Sequence, residues 1–123
     1  MEQKFVRAPY KTGSYIAEVL EQKNDKSLLK ITAVLKHPKQ GDLHNPNQTD
    51  VPLFHERKAL AEMEKVWVPK AMVKPYEEKV PTYHESLHLA YKEYEAELLE
   101  KNDDYSREAL AALTNLKADY KFN

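Results

Sequence analysis

Apolar residues recur every second position in the first part of the chain and every third or fourth position in the last part. Between the two lies a segment with no period. In Leu28–Leu35, residues Leu29, Ile31, Ala33 and Leu35 fall on one face of an extended strand. The run Tyr15–Glu21 precedes it, separated by the polar Lys23-Asn24-Asp25-Lys26. The spacing predicts a β-hairpin. Further on, Val66-Trp67-Val68-Pro69-Lys70-Ala71-Met72-Val73-Lys74-Pro75 predicts a strand, a 3₁₀ turn and a second short strand. Proline sets φ for the turn and cannot extend a ladder. Trp67, between two valines, is expected to fill the core. Phe54–Leu60 fits either a third strand or a helical turn.

The helical part announces itself with Thr82-Tyr83-His84-Glu85, a capping box in which the threonine hydroxyl takes an orphan amide and the glutamate reaches back to the cap. Leu87, Tyr91, Tyr94 and Leu98 then form an apolar stripe. Lys101-Asn102-Asp103-Asp104 interrupts the pattern and places an Asp to cap a second helix. Its stripe is Leu110, Leu113, Leu116 or Lys117, and Tyr120. A short connection implies two antiparallel helices, neither stable without burying its stripe. All seven prolines and both glycines lie at or before Pro81. The expected architecture is therefore α+β: a small SH3-like β-barrel over residues 1–76, carrying a long loop at 36–57, followed by an α-helical hairpin over 77–123.

Charge adds an asymmetry. The chain is nearly neutral at −1, but residues 1–76 hold 13 Lys and Arg against 9 Asp and Glu, while residues 77–123 hold 6 against 11. The near-neutral total offers no global field for nucleic acid or an anionic membrane. There is no cysteine, which excludes disulfides, thiolate metal sites, a Cys nucleophile and an acylated thiol among these residues, and fits a reducing compartment. No apolar run suggests a signal peptide or a membrane span, so a cytoplasmic protein is expected.

Candidate chemistry is sparse. His84-Glu85-Ser86-Leu87-His88 matches H-E-x-x-H, a zinc-binding pattern in which Glu is the general base. It opens its helix, Glu85 is wanted by the cap, and no third histidine follows. Two incidental, solvent-facing histidines are the simpler reading, with a zinc hydrolase as a remote alternative. In the loop, His37, Asp42, His44, Asp50, His55 and Glu56 could ligate a metal, but at no recognised spacing. Self-satisfied Asx-type turns are favoured for them. If the loop binds a partner, His37, Asp42, His44, His55, Glu56 and Arg57 are the residues to carry it, with Arg57 presenting a fork for a carboxylate or phosphate. No phosphate-cradling glycine loop and no nucleophile elbow is present. No catalytic residue, cofactor or enzymatic activity is expected. Tyr10, Tyr15, Trp67 and Tyr76 could line a peptide groove.

The loop Leu35–Leu60, LKHPKQGDLHNPNQTDVPLFHERKAL, is idiosyncratic. Together with Tyr10-Lys11-Thr12-Gly13-Ser14-Tyr15-Ile16 and Met72-Val73-Lys74-Pro75-Tyr76 it resembles the kinase-associated protein B family of spore-forming bacteria. The resemblance covers most of residues 9 to 76. It implies an accessory protein of a sporulation sensor histidine kinase, a membrane protein feeding a phosphorelay, reached by protein–protein binding. The family is sometimes described as a lipoprotein. A chain without cysteine departs from that, and any membrane association is then expected through the partner. The alternative is an SH3-like module binding nucleic acid or peptide, with nucleic acid disfavoured because basic and aromatic residues do not interleave.

Overall fold

Alternation and turn chemistry build the first half as a meander of antiparallel strands. The computed structural model describes residues 5–41 and 56–121. Strand β1 (Phe5–Tyr10) turns at Lys11-Thr12 into β2 (Gly13–Lys23), and β2 turns at Asn24-Asp25 into β3 (Lys26–Lys36). Asn24 takes the left-handed conformation (φ 55°), which asparagine tolerates better than most side chains. After the loop come β4 (Lys65–Pro69), a 3₁₀ turn (Lys70–Met72) and β5 (Lys74–Tyr76). The strand–turn–strand ending is as the sequence predicts. Residues 56–61, by contrast, are neither strand nor helix, and Phe54 lies outside the described residues.

The strand order is β4-β3-β2-β1-β5. β4 and β5 are thus on opposite edges, yet only the 3₁₀ turn joins them. From Pro69 to Lys74 the chain reaches at most about 17 Å. The edges of a flat five-stranded sheet would stand about 19 Å apart. The sheet must curl, and β1 indeed approaches β4. Of the expected small barrel with a helical hairpin, the structure shows a curled five-stranded antiparallel sheet followed by two helices. The amide of Lys70 ties the turn to the β2–β3 hairpin by donating to the Asp25 carbonyl at 2.8 Å.

Two details correct the reading of the strands. Trp67 is not in the core: it is 42% exposed, while Val66 and Val68 are buried. A strand alternates faces, so a residue between two inward valines must point out. Leu35 is only half-buried, and Val34 takes the inward place at 2% exposure. The ladder steps from Ser14↔Lys36 to Tyr15↔Val34, so a bulge leaves Leu35 unpaired and shifts the parity.

Helix α1 (Tyr83–Lys101) starts where expected. The Thr82 hydroxyl accepts the Glu85 amide at 3.2 Å and donates to Glu85 Oε1 at 2.9 Å, so the glutamate closes the box on the hydroxyl. α2 (Asp104–Tyr120) is capped by Asp103, which accepts from the Ser106 amide at 2.7 Å. Each cap is worth about 1 kcal/mol. Leu87, Tyr91, Tyr94 and Leu98 are all buried, as are Leu113, Leu116 and Tyr120; Leu110 is half-buried and Lys117 exposed. The buried residues share one cluster with Tyr15, Leu29, Ile31 and Val34 of the sheet, and Leu110 packs against it. α1 lies along β3, where buried Ser86 Oγ accepts the Val34 amide at 2.9 Å and donates to the Tyr83 carbonyl.

Candidate functional site

The segments leaving β3 and approaching β4, residues 37–41 and 57–60, are the two stems of the long loop, and they run largely buried without a strand ladder. Buried backbone amides and carbonyls need partners. Five tyrosines supply them. The Tyr94 hydroxyl accepts the Gln40 amide at 2.9 Å, and Tyr105 donates to the Gln40 carbonyl at 2.7 Å. Tyr120 accepts the Ala59 amide at 2.9 Å and Tyr15 the Leu60 amide at 3.2 Å, while Tyr83 donates to the Leu60 carbonyl. Four of the five come from the helical hairpin or its first residue, so the helices act as a clasp over the loop's base. Burial pushes the Tyr15 and Tyr83 phenols up to about 12 and raises those of Tyr94 and Tyr120 as well. All four remain protonated in ordinary buffers.

Gln40, 3% exposed, stitches the stems to each other. Its Oε1 accepts the Arg57 amide at 2.8 Å, and its Nε2 donates to the Arg57 carbonyl at 2.8 Å and to the Pro38 carbonyl at 3.1 Å. The side-chain amide thereby imitates a strand bridge between residues seventeen apart. Arg57 Nε adds a bond to the Gly41 carbonyl at 2.9 Å.

His37 sits beneath this stitch. Its Nδ1 lies 2.9 Å from the Pro38 carbonyl, which can only accept, so that nitrogen carries the proton. Nε2, 2.8 Å from the Tyr120 hydroxyl, then accepts from it, in keeping with Tyr120 taking the Ala59 amide on its lone pair. The ring stacks on Tyr94 (centroids 5.8 Å, planes 13° apart) and meets Tyr91 and Tyr120 edge-on. Burial lowers its pKa from the ordinary 6.5. Gly13 closes the other side. A Cβ there would lie 2.6 Å from the Tyr15 hydroxyl and 3.1 Å from the Pro38 ring, so only glycine allows the β1–β2 turn to pack against the stem. Thr12 Oγ1 accepts the Lys39 amide at 2.9 Å beside it.

Of the residues expected to meet a partner, His37 is corrected: at 4% exposure its ring is used inside the fold. Glu56 is exposed and Arg57 half-buried. Asp42, His44 and His55 lie outside the described residues, as does Asp50. His84 and His88 are exposed. The helix face turned to the sheet carries Ser86, Leu87 and Ala90, which leaves both histidines outward, and Glu85 is engaged by Thr82. Among the described residues no group of three His, Asp or Glu is arranged to hold a metal. Sequence reasoning missed Gln40, Tyr105 and the hydroxyl role of Tyr94 and Tyr120. The one available signal was that apolar stripes ending in tyrosine carry a polar tip needing a partner once buried.

The profile of the family described as Kinase associated protein B matches residues 10–121. The chain belongs to the kinase-associated protein B family. A relative from Bacillus subtilis (strain 168), named Kinase-associated lipoprotein B, is 47% identical over 115 residues, covering 94% of this chain and 90% of the relative. The crystal structure of kinase-associated protein B from Bacillus cereus is 39% identical, superimposes with a TM-score of 0.85 and covers 99% of both chains. The superposition covers both the curled sheet and the two helices of this chain. Among the described residues, no helix is long and apolar enough to cross a membrane.

Proposed function

We propose that this chain is a non-enzymatic accessory protein of a sporulation sensor histidine kinase, a membrane protein feeding a phosphorelay, and that it acts from the cytoplasm by protein–protein binding. Membership of the kinase-associated protein B family carries this reading. The site supports it by its allocation of polar groups: His37, Gln40 and the tyrosines hold the chain to itself. Arg57 Nε is used by Gly41, and its two Nη groups carry no bond to another described residue, so they are suited to a partner's carboxylate. An accessory protein of this kind works by binding one state of the kinase better than another. Its effect is bounded by that difference in affinity.

Mild crosslinking in native cells followed by purification of the chain tests this. A sensor kinase is expected among the recovered proteins, and its yield should fall sharply for Arg57→Ala. Recovery of ribosomes or RNA without a kinase would overturn the reading.

A further inference from the structure

Next to the clasp, the curled sheet presents two contiguous open grooves of about 670 and 300 Å³ that share Pro9 and Met72. Their floor is apolar, and Trp67 (42% exposed) and Met72 (47% exposed) stand in them. The rim holds Arg7, Lys11, Lys36 and Lys74, and no carboxylate lines either groove. The four ion pairs among the described residues involve none of these cations. In a chain of net charge −1 this is a local concentration of unneutralised positive charge around apolar surface. A larger groove of about 1020 Å³ lies between β5 and α1, but its rim mixes Lys79 and Lys92 with Glu85 and Glu93 and so selects no sign of charge.

We infer that the groove of Trp67 and Met72 docks an acidic polypeptide segment bearing an apolar anchor. The anchor covers the two exposed side chains, and the carboxylates meet Arg7, Lys11, Lys36 and Lys74 around it. Desolvated apolar centres with charged rims are how protein interfaces divide affinity from selectivity. Single-stranded nucleic acid needs successive aromatic platforms. The lining here is mostly aliphatic, with Tyr10 and Trp67 its two aromatic rings, so a polypeptide is the better occupant. This inference deepens the protein-binding reading and rests on it for the class of partner.

Because Trp67 is the only tryptophan, its emission reports occupancy directly. The probes are a short synthetic peptide alternating glutamate pairs with leucine and phenylalanine, the same peptide with glutamine for every glutamate, and an oligothymidylate. The acidic peptide alone should give a saturable change, weakened about tenfold when salt rises from about 0.05 to 0.5 M. The change should disappear in the triple variant Arg7→Glu/Lys36→Glu/Lys74→Glu, provided its thermal melt matches that of the parent. Equal binding of the glutamine peptide, tighter binding of the oligonucleotide, or no change at millimolar acidic peptide would each overturn the inference. The same triple variant, used in the native-cell purification, separates the two readings. A kinase still recovered at full yield would place its contact elsewhere and sink this groove, leaving the accessory role standing. Peptide binding with no kinase recovered by either protein would do the reverse.

Discussion

The loop's base and the neighbouring groove use similar residues for opposite ends. At the loop's base, His37, Gln40 and five tyrosines are buried or half-buried, and each hydroxyl or amide is matched to a backbone group. On the groove face, Trp67, Met72 and four cations are exposed and make no ion pair among the described residues. A titratable or aromatic side chain therefore says little about function until its partners are counted. The histidine that looked available for a partner is structural, and the tryptophan that looked structural is at the surface.

Breaking the clasp should cost most. Gln40→Ala strands the Arg57 amide and carbonyl together and is expected to lower stability by about 3 kcal/mol, read from the urea midpoint at constant m-value. A loss below 0.5 kcal/mol would mean that water replaces the stitch. Tyr120→Phe keeps the ring but abandons the Ala59 amide and His37 Nε2, and about 2 kcal/mol should be lost in the same assay. Tyr76, whose hydroxyl lies 3.4 Å from the Lys79 carbonyl at the surface, is the control, and its Phe variant should be close to neutral.

Acid should weaken the clasp in a defined direction. Burial disfavours the imidazolium, so native His37 binds its proton less readily than the unfolded chain, whose value is 6.5. As pH falls below 6.5 the unfolded state takes up the extra proton. Stability then declines by at most about 1.4 kcal/mol per pH unit until the native ring also titrates. The ring faces Tyr91, Tyr94 and Tyr120, and the cleft beside it is edged by Lys36, Lys39, Glu93 and Glu97. Urea unfolding at pH 7.5 and 5.5 should show the stability lost between the two shrink by up to about 1.4 kcal/mol in His37→Gln; an unchanged difference would assign it to other groups.

The smallest effect belongs to the groove face. Lys74→Glu is expected to shift stability by under about 0.5 kcal/mol, since the side chain is exposed and makes no ion pair among the described residues. A melt lowered by as much as that of Tyr120→Phe would mean that the groove face is also part of the scaffold, and the contrast between the two regions would fail.

Local pattern was enough to place the β2–β3 hairpin, the strand–turn–strand ending, both helix caps and the stripes of α1 and α2, because each follows from neighbours within a few residues. The claim of Thr82 on Glu85 inside the zinc-like motif was also legible in the sequence, and the cap is present. Other features turned on residues far apart in the chain. The bulge that exchanges Leu35 for Val34 depends on how β2 pairs with β3. The pairing of Gln40 with Arg57, and of Tyr120 with both Ala59 and His37, spans 17 to 83 residues. No period encodes such contacts. The sequence by itself determined which segments become strands and helices and which family the chain resembles. Only the tertiary structure decided which histidines, tyrosines and cations were already used, because hydrogen-bond satisfaction is a property of what lies across the fold.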